Sequence, residues 1–234
     1  LPFNALHDGN GYLIERYSLR LLPSASVLKY LKGVKPQTTG TLLAFGNPDL
    51  GDPRLDLKHA QTEAQDVAKV LPNSRALVRR EASESAFKRY GEGFKYLHIA
   101  SHGTFNADSP LTSALLLAKD STNDGTLTVG ELYSMRLNAD LVTLSACETG
   151  LGKIANGDDV VGLTRGFLYA GSRSIVASLW KVDDEATAYL MTRFYGALKG
   201  TSKREALRLA QLETRKKYPH PYYWAAFQLT GEAS

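Results

Sequence analysis

Two short stretches of the 234-residue chain carry the side chains best suited to chemistry. HIASHGTF, residues 98–105, presents His102 followed by Gly103. LVTLSACETG, residues 141–150, holds Cys147, the only cysteine in the sequence. A thiol with an ordinary pKa of about 8.5 is only a few per cent thiolate at neutral pH, and a nearby imidazolium favours the charged, nucleophilic form. The same imidazole can then protonate a leaving amine. The backbone N–H groups of Gly103 and Cys147 are candidates to converge on a developing oxyanion, each such donor being worth about 3–4 kcal/mol. A structural interpretation competes with this one. A single cysteine at a strand end is commonly an inert buried thiol, and a single histidine after a strand is commonly a hydrogen-bonded framework group. Taken alone, the two stretches leave both interpretations open.

Other groups are weaker candidates. His98 and His102 have an H-x-x-x-H spacing, but on a strand four residues span about 13 Å, so both rings cannot ligate one ion. Ile99 also stands where the helical zinc motif needs glutamate. No metal site and no cofactor are expected. GLGKIANG, residues 150–157, has glycines and a lysine in neither the P-loop nor the GxGxxG order, and is expected to be a loop near substrate. Asp183 and Asp184 follow a strand-like run. One is expected to cap the next helix, and the other is a candidate to select a positively charged substrate group.

The elements that must position these residues alternate. Apolar, β-rich runs occur at residues 41–46, 75–79, 95–101, 140–146 and 173–180. Several are apolar on both faces, as buried parallel strands require. Between them, Ala60, Ala64, Val67, Ala68 and Leu71 form one helical stripe. Residues 83–90 make a shorter helix, and Val160, Leu163, Phe167 and Leu168 another, closed by Gly171. After Trp180 a helix is expected to run from Asp183 or Asp184 to Gly200, and a capping box at Ser202 and Glu205 opens the next. The opening GYLIERYSLRLLPS reads as a hairpin or two short strands, with Ser24 capping a brief helix. The closing PYYWAAFQLTGE suggests an edge strand. The pattern implies α/β architecture: a mainly parallel sheet with helices on both faces, in a single domain over residues 1–234. In such a sheet functional groups gather beyond the carboxyl ends of the strands, where His102 and Cys147 both fall.

Bulk properties narrow the function. A hydrophobic content of 43% and a charged content of 22% are ordinary for a globular chain. One cysteine excludes an internal disulfide framework and favours a reducing, cytoplasmic setting. No apolar run reaches the about 20 residues needed to span a bilayer, so no membrane partner is expected. The net charge of +4 is local: residues 199–217 hold seven Lys/Arg and two Glu, leaving the rest of the chain at −1. This reads as a solvated basic helix face, and no nucleic-acid partner is expected. The start at Leu1, without methionine or leader, suggests a piece of a longer protein.

Taken in order, YLHIASHGTF, LTSALLLA, DGTLTVGEL, LVTLSACETG, GDDVVGLTRGFLYAGSRSIVASLWKVDDEAT and YYWAAFQLTGE, with the LIERYSLRLLPS entry, resemble the CHAT domain over nearly the whole chain. CHAT domains are caspase-related and usually attached to tetratricopeptide repeats. The resemblance implies a caspase-like three-layer fold of the cysteine-peptidase clan that includes metacaspases and separase. It also implies a His102–Cys147 dyad, with Gly103 and Cys147 amides at the oxyanion, that hydrolyses protein or peptide substrates through a thioester. The 45-residue spacing fits a histidine about fifty residues ahead of the cysteine. A bacterial-type regulatory protein, governed by an upstream repeat region and of low activity without it, is the implied context. Two departures concern specificity. Glu148, Thr149 and Gly150 follow the cysteine where caspases carry arginine and glycine, and Ser145 stands where relatives specific for Lys or Arg carry aspartate. Asp183 and Asp184 resemble the acidic stretch near the first specificity pocket of those relatives, so the four substrate-binding candidates are Asp183, Asp184, Ser145 and Glu148. A silent domain serving as an interaction module is the alternative.

Overall fold

The computed structural model describes residues 1–27, 29, 38–106, 108–145, 159–180 and 183–234. Its centre is a six-stranded sheet in the order β2-β1-β3-β7-β8-β9. β1 (Gly40–Pro48), β2 (Arg75–Arg79), β3 (Phe94–Ala100), β7 (Leu141–Leu144) and β8 (Ser174–Ser178) run parallel, and β9 (Phe227–Gly231) closes the edge antiparallel to β8. A smaller antiparallel sheet joins β4 (Gly103–Thr104), β5 (Ala114–Leu116) and β6 (Thr126–Thr128).

Alternation along the strands divides the side chains between two cores, because successive residues point to opposite faces. Leu43, Phe45, Leu97, Ile99, Val142 and Leu144 face α3 (Glu84–Tyr90), α5 (Asp159–Tyr169) and the small sheet. Leu42, Ala44, Tyr96, Leu141 and Val176 face α2 (Lys58–Val70), α6 (Asp184–Ala197) and α7 (Lys203–Lys217). Helices thus cover both faces, as a parallel sheet requires.

Caps follow the expected chemistry. Ser83 accepts from Ala86 N–H, Asp183 from Ala186 N–H, and Ser202 from Glu205 N–H. After α5 the chain turns at Gly171, whose φ of 104° suits glycine. Two expectations are corrected. The opening segment is no hairpin: Leu13–Arg16 forms a helical turn (α1), flanked by single bridges, and Leu21 bridges Thr230 of β9. Glu15 there accepts from the Tyr12 N–H at 3.1 Å and gives its own N–H to the Tyr12 carbonyl, and this local bonding outweighs the β-prone residues. The basic stretch is also more than a solvated face. Lys203 is buried against Asp140 and Glu232, Arg208 donates to the Ile14 and Glu15 carbonyls, and Arg215 pairs with Glu15. A short helix, α4 (Val129–Leu132), packs beside α5. Among the described residues, no helix is long and apolar enough to cross a membrane.

Candidate active site

The carboxyl ends of β1, β3 and β7 share one edge of the sheet, since the three strands are parallel neighbours. His102 lies two residues beyond the end of β3 and is buried. Its Nε2 sits 2.8 Å from the Leu55 carbonyl oxygen. A carbonyl oxygen only accepts, so Nε2 carries a hydrogen and the neutral ring has its basic lone pair on Nδ1. Leu55 belongs to the connection between β1 and α2, which charged pairs hold in place. Arg79 reaches Asp56 at 2.5 Å and Asp49 at 3.7 Å, and Arg80 reaches Asp49 at 3.2 Å. The Gly51 amide and the Arg80 guanidinium keep the Asp49 carboxyl below its ordinary range, so it stays anionic. Asn47, at φ 47°, accepts from Leu57 N–H at 2.7 Å and seats the start of α2. Sequence inspection missed this loop, because its role lies in a backbone carbonyl that any residue can supply.

Gly103 opens β4 opposite Leu115. Leu116 N–H donates to the His102 carbonyl at 2.9 Å, and antiparallel bonding alternates, so the Gly103 N–H turns away from β5. That orientation leaves the amide facing outward from the edge of the small sheet. A Cβ at Gly103 would make only ordinary contacts of 3.5 Å, so packing does not demand glycine here.

Ser145 continues the pairing of β7 with β3, its N–H donating to Ile99 O at 2.9 Å. Its hydroxyl donates to the Glu63 carboxylate in the interior. Asp183 is the N-cap of α6, and Asp184 sits exposed in its first turn. Cys147, Glu148 and the 150–157 loop lie outside the described residues. Among the described residues there is no group of His, Cys, Asp or Glu arranged to hold a metal ion.

The architecture is that of caspase-like folds. The separase of the Saccharomyces cerevisiae separase–securin complex superposes with a TM-score of 0.60 at 14% identity, covering 92% of this chain and 14% of that one. The Arg-specific cysteine proteinase gingipain R superposes with a TM-score of 0.54 at 10% identity, covering 86% of this chain and 50% of that one. The chain belongs to the CHAT domain family, whose model matches residues 1–232. Tetratricopeptide repeat protein 28 of Homo sapiens is 26% identical over 285 residues, and its Mus musculus counterpart 25% over 288. Each alignment takes in 99% of this chain, which spans only 11% and 12% of those relatives.

Proposed function

We propose that the chain is a cysteine endopeptidase domain in which Cys147 is the nucleophile and His102 the general base and acid. One observation carries the reading: the β3–β7 register. Tyr96 pairs with Leu141 and Ile99 with Leu144, a constant offset of 45 residues. The same 45 residues separate His102 from Cys147, so the two occupy equivalent positions in sequence beyond neighbouring strand ends. Adjacent strands lie about 4.8 Å apart, a spacing suited to an imidazole–thiol pair.

The chemistry follows from the tautomer. Nδ1 of His102 takes the Cys147 proton while Nε2–H stays bonded to the Leu55 carbonyl, which steadies the imidazolium. The thiolate attacks the scissile carbonyl carbon, and the Gly103 and Cys147 amides hold the oxyanion. Collapse breaks the C–N bond as His102 returns the proton to the leaving amine. Water, deprotonated by His102, then cleaves the thioester, releasing the carboxylate and restoring the thiol. Protein or peptide segments are the substrates, and a tetratricopeptide region is the proposed partner, as the relatives' name suggests.

The test is peptide-library cleavage by the parent, Cys147→Ala and His102→Ala. Cleavage lost in both variants is expected. Full cleavage by Cys147→Ala refutes the reading, and unreactive Cys147 with no cleavage favours an interaction module.

A further inference from the structure

A buried polar cluster sits on the α2/α6 face of the sheet, apart from the contacts of His102. Glu63 of α2 places Oε1 3.0 Å from His98 Nε2 on β3, and the Ser145 hydroxyl donates to the same oxygen. His98 is 0% and Glu63 4% exposed. His98 Nδ1 lies 3.2 Å from the Tyr195 hydroxyl, which donates to Thr143 Oγ1 at 2.8 Å. The phenol has one hydrogen and gives it to Thr143, so Nδ1 must be the donor to Tyr195. Burial pushes the Tyr195 phenol well above its ordinary pKa, which keeps that hydrogen in place. His98 Nε2 lies close to Oε1 without an aligned hydrogen bond to it, so the contact is one of proximity in a buried site. A pair of this kind is costly to bury, and apolar residues of the same volume would pack there at least as well.

We propose that Glu63 is a positioning residue, which fixes the carboxyl end of β7 at Ser145 relative to His102. The inference rests on the dyad reading above. What carries it is that one continuous segment holds both strand ends. The β1–α2 connection presents the Leu55 carbonyl to His102, and eight residues later α2 presents Glu63 to Ser145. Asn47 anchors the junction between them. The segment is therefore a common frame for the histidine and for the strand that leads into Cys147.

Because Cys147 is the only cysteine, the rate of iodoacetamide alkylation of the whole chain reads that thiol alone. Ser145→Ala removes the link to β7 and leaves Glu63 beside His98, while Glu63→Met removes the acceptor at nearly the same side-chain length. Each is expected to lower the His102-dependent alkylation rate near neutral pH by about tenfold, as thiolate activation weakens. The double variant should be no slower than the singles, since both cut one link. Ser145→Thr, which retains a hydroxyl, should restore the rate. A Ser145→Ala chain that is folded by circular dichroism and alkylates at the parent rate with an unchanged pH profile overturns the proposal. So does a lowered unfolding midpoint with no change in rate, which marks a structural role only. A parent rate that His102→Ala leaves unchanged instead overturns the dyad reading, and this inference with it.

Discussion

Replacing Gly46 by alanine tests whether the seating of α2 controls both stability and the site. An added Cβ would lie 2.5 Å from Ala64 Cβ and 2.6 Å from the Ala60 carbonyl oxygen. Non-bonded carbons prefer about 3.5–4.0 Å, so α2 must retreat by about 1 Å. One obstructing atom is helix backbone and cannot rotate aside, which places the cost near the upper end of the usual overpacking range, about 3 kcal/mol. The same retreat carries the Leu55 carbonyl from His102 and Glu63 from Ser145. A misplacement of about 1 Å at a reacting pair can cost up to about a hundredfold in rate. Urea unfolding followed by the fluorescence of Trp180 and Trp224 reads the first effect, and alkylation of Cys147 the second. Gly196→Ala is the control. Gly196 sits in α6 with open space where a methyl group would go, so alanine there should stabilise by about 0.5–1 kcal/mol through helix propensity. An unchanged midpoint in Gly46→Ala would refute the reasoning.

Three further outcomes follow from buried charges and caps. Lys203, 2% exposed, lies 2.8 Å from Asp140 and 3.0 Å from Glu232, so Lys203→Met should destabilise by about 3 kcal/mol in urea titration at neutral pH, because it leaves Arg173 to serve both carboxylates from longer range. Burial pushes the Glu232 carboxyl up, but bonds from Ser234 and the Lys203 ammonium outweigh this and hold it at about 2, against 4.5 for the free group. Its contribution is therefore present above pH 4.5 and lost as the pH falls from 4.5 toward 2, and acid titration of Glu232→Gln should show a shallower decline over that window. Asp183→Ala removes the cap on Ala186 N–H and should cost about 1 kcal/mol in unfolding free energy, a loss that Asp183→Asn largely avoids.

The sequence by itself determined a good deal of this protein. Short runs apolar on both faces and the helical stripe at Ala60, Ala64 and Val67 specified strands and α2, because a parallel strand is buried on both sides and a packed helix on one stripe. Asp183 and Ser202 announced their helices because capping is local chemistry. His102 and Gly103 were legible only as candidates, since a histidine after a strand serves equally well as a hydrogen-bonded framework group. The helical turn at Leu13–Arg16 was not legible, because the Glu15 carboxylate's bond to the Tyr12 N–H competes with residues that favour strands. Tertiary structure alone decided the partners. That β3 and β7 are neighbours at an offset of 45 residues is a pairing choice with no local signal. The Leu55 carbonyl reaches His102 across 47 residues, and Glu63 reaches Ser145 across 82. A backbone carbonyl leaves no mark in residue type, and a glutamate on a helix looks like any solvated charge until the fold buries it. These contacts exist only when packing closes the loops between them, which is why they belong to the fold and not to any stretch of the chain.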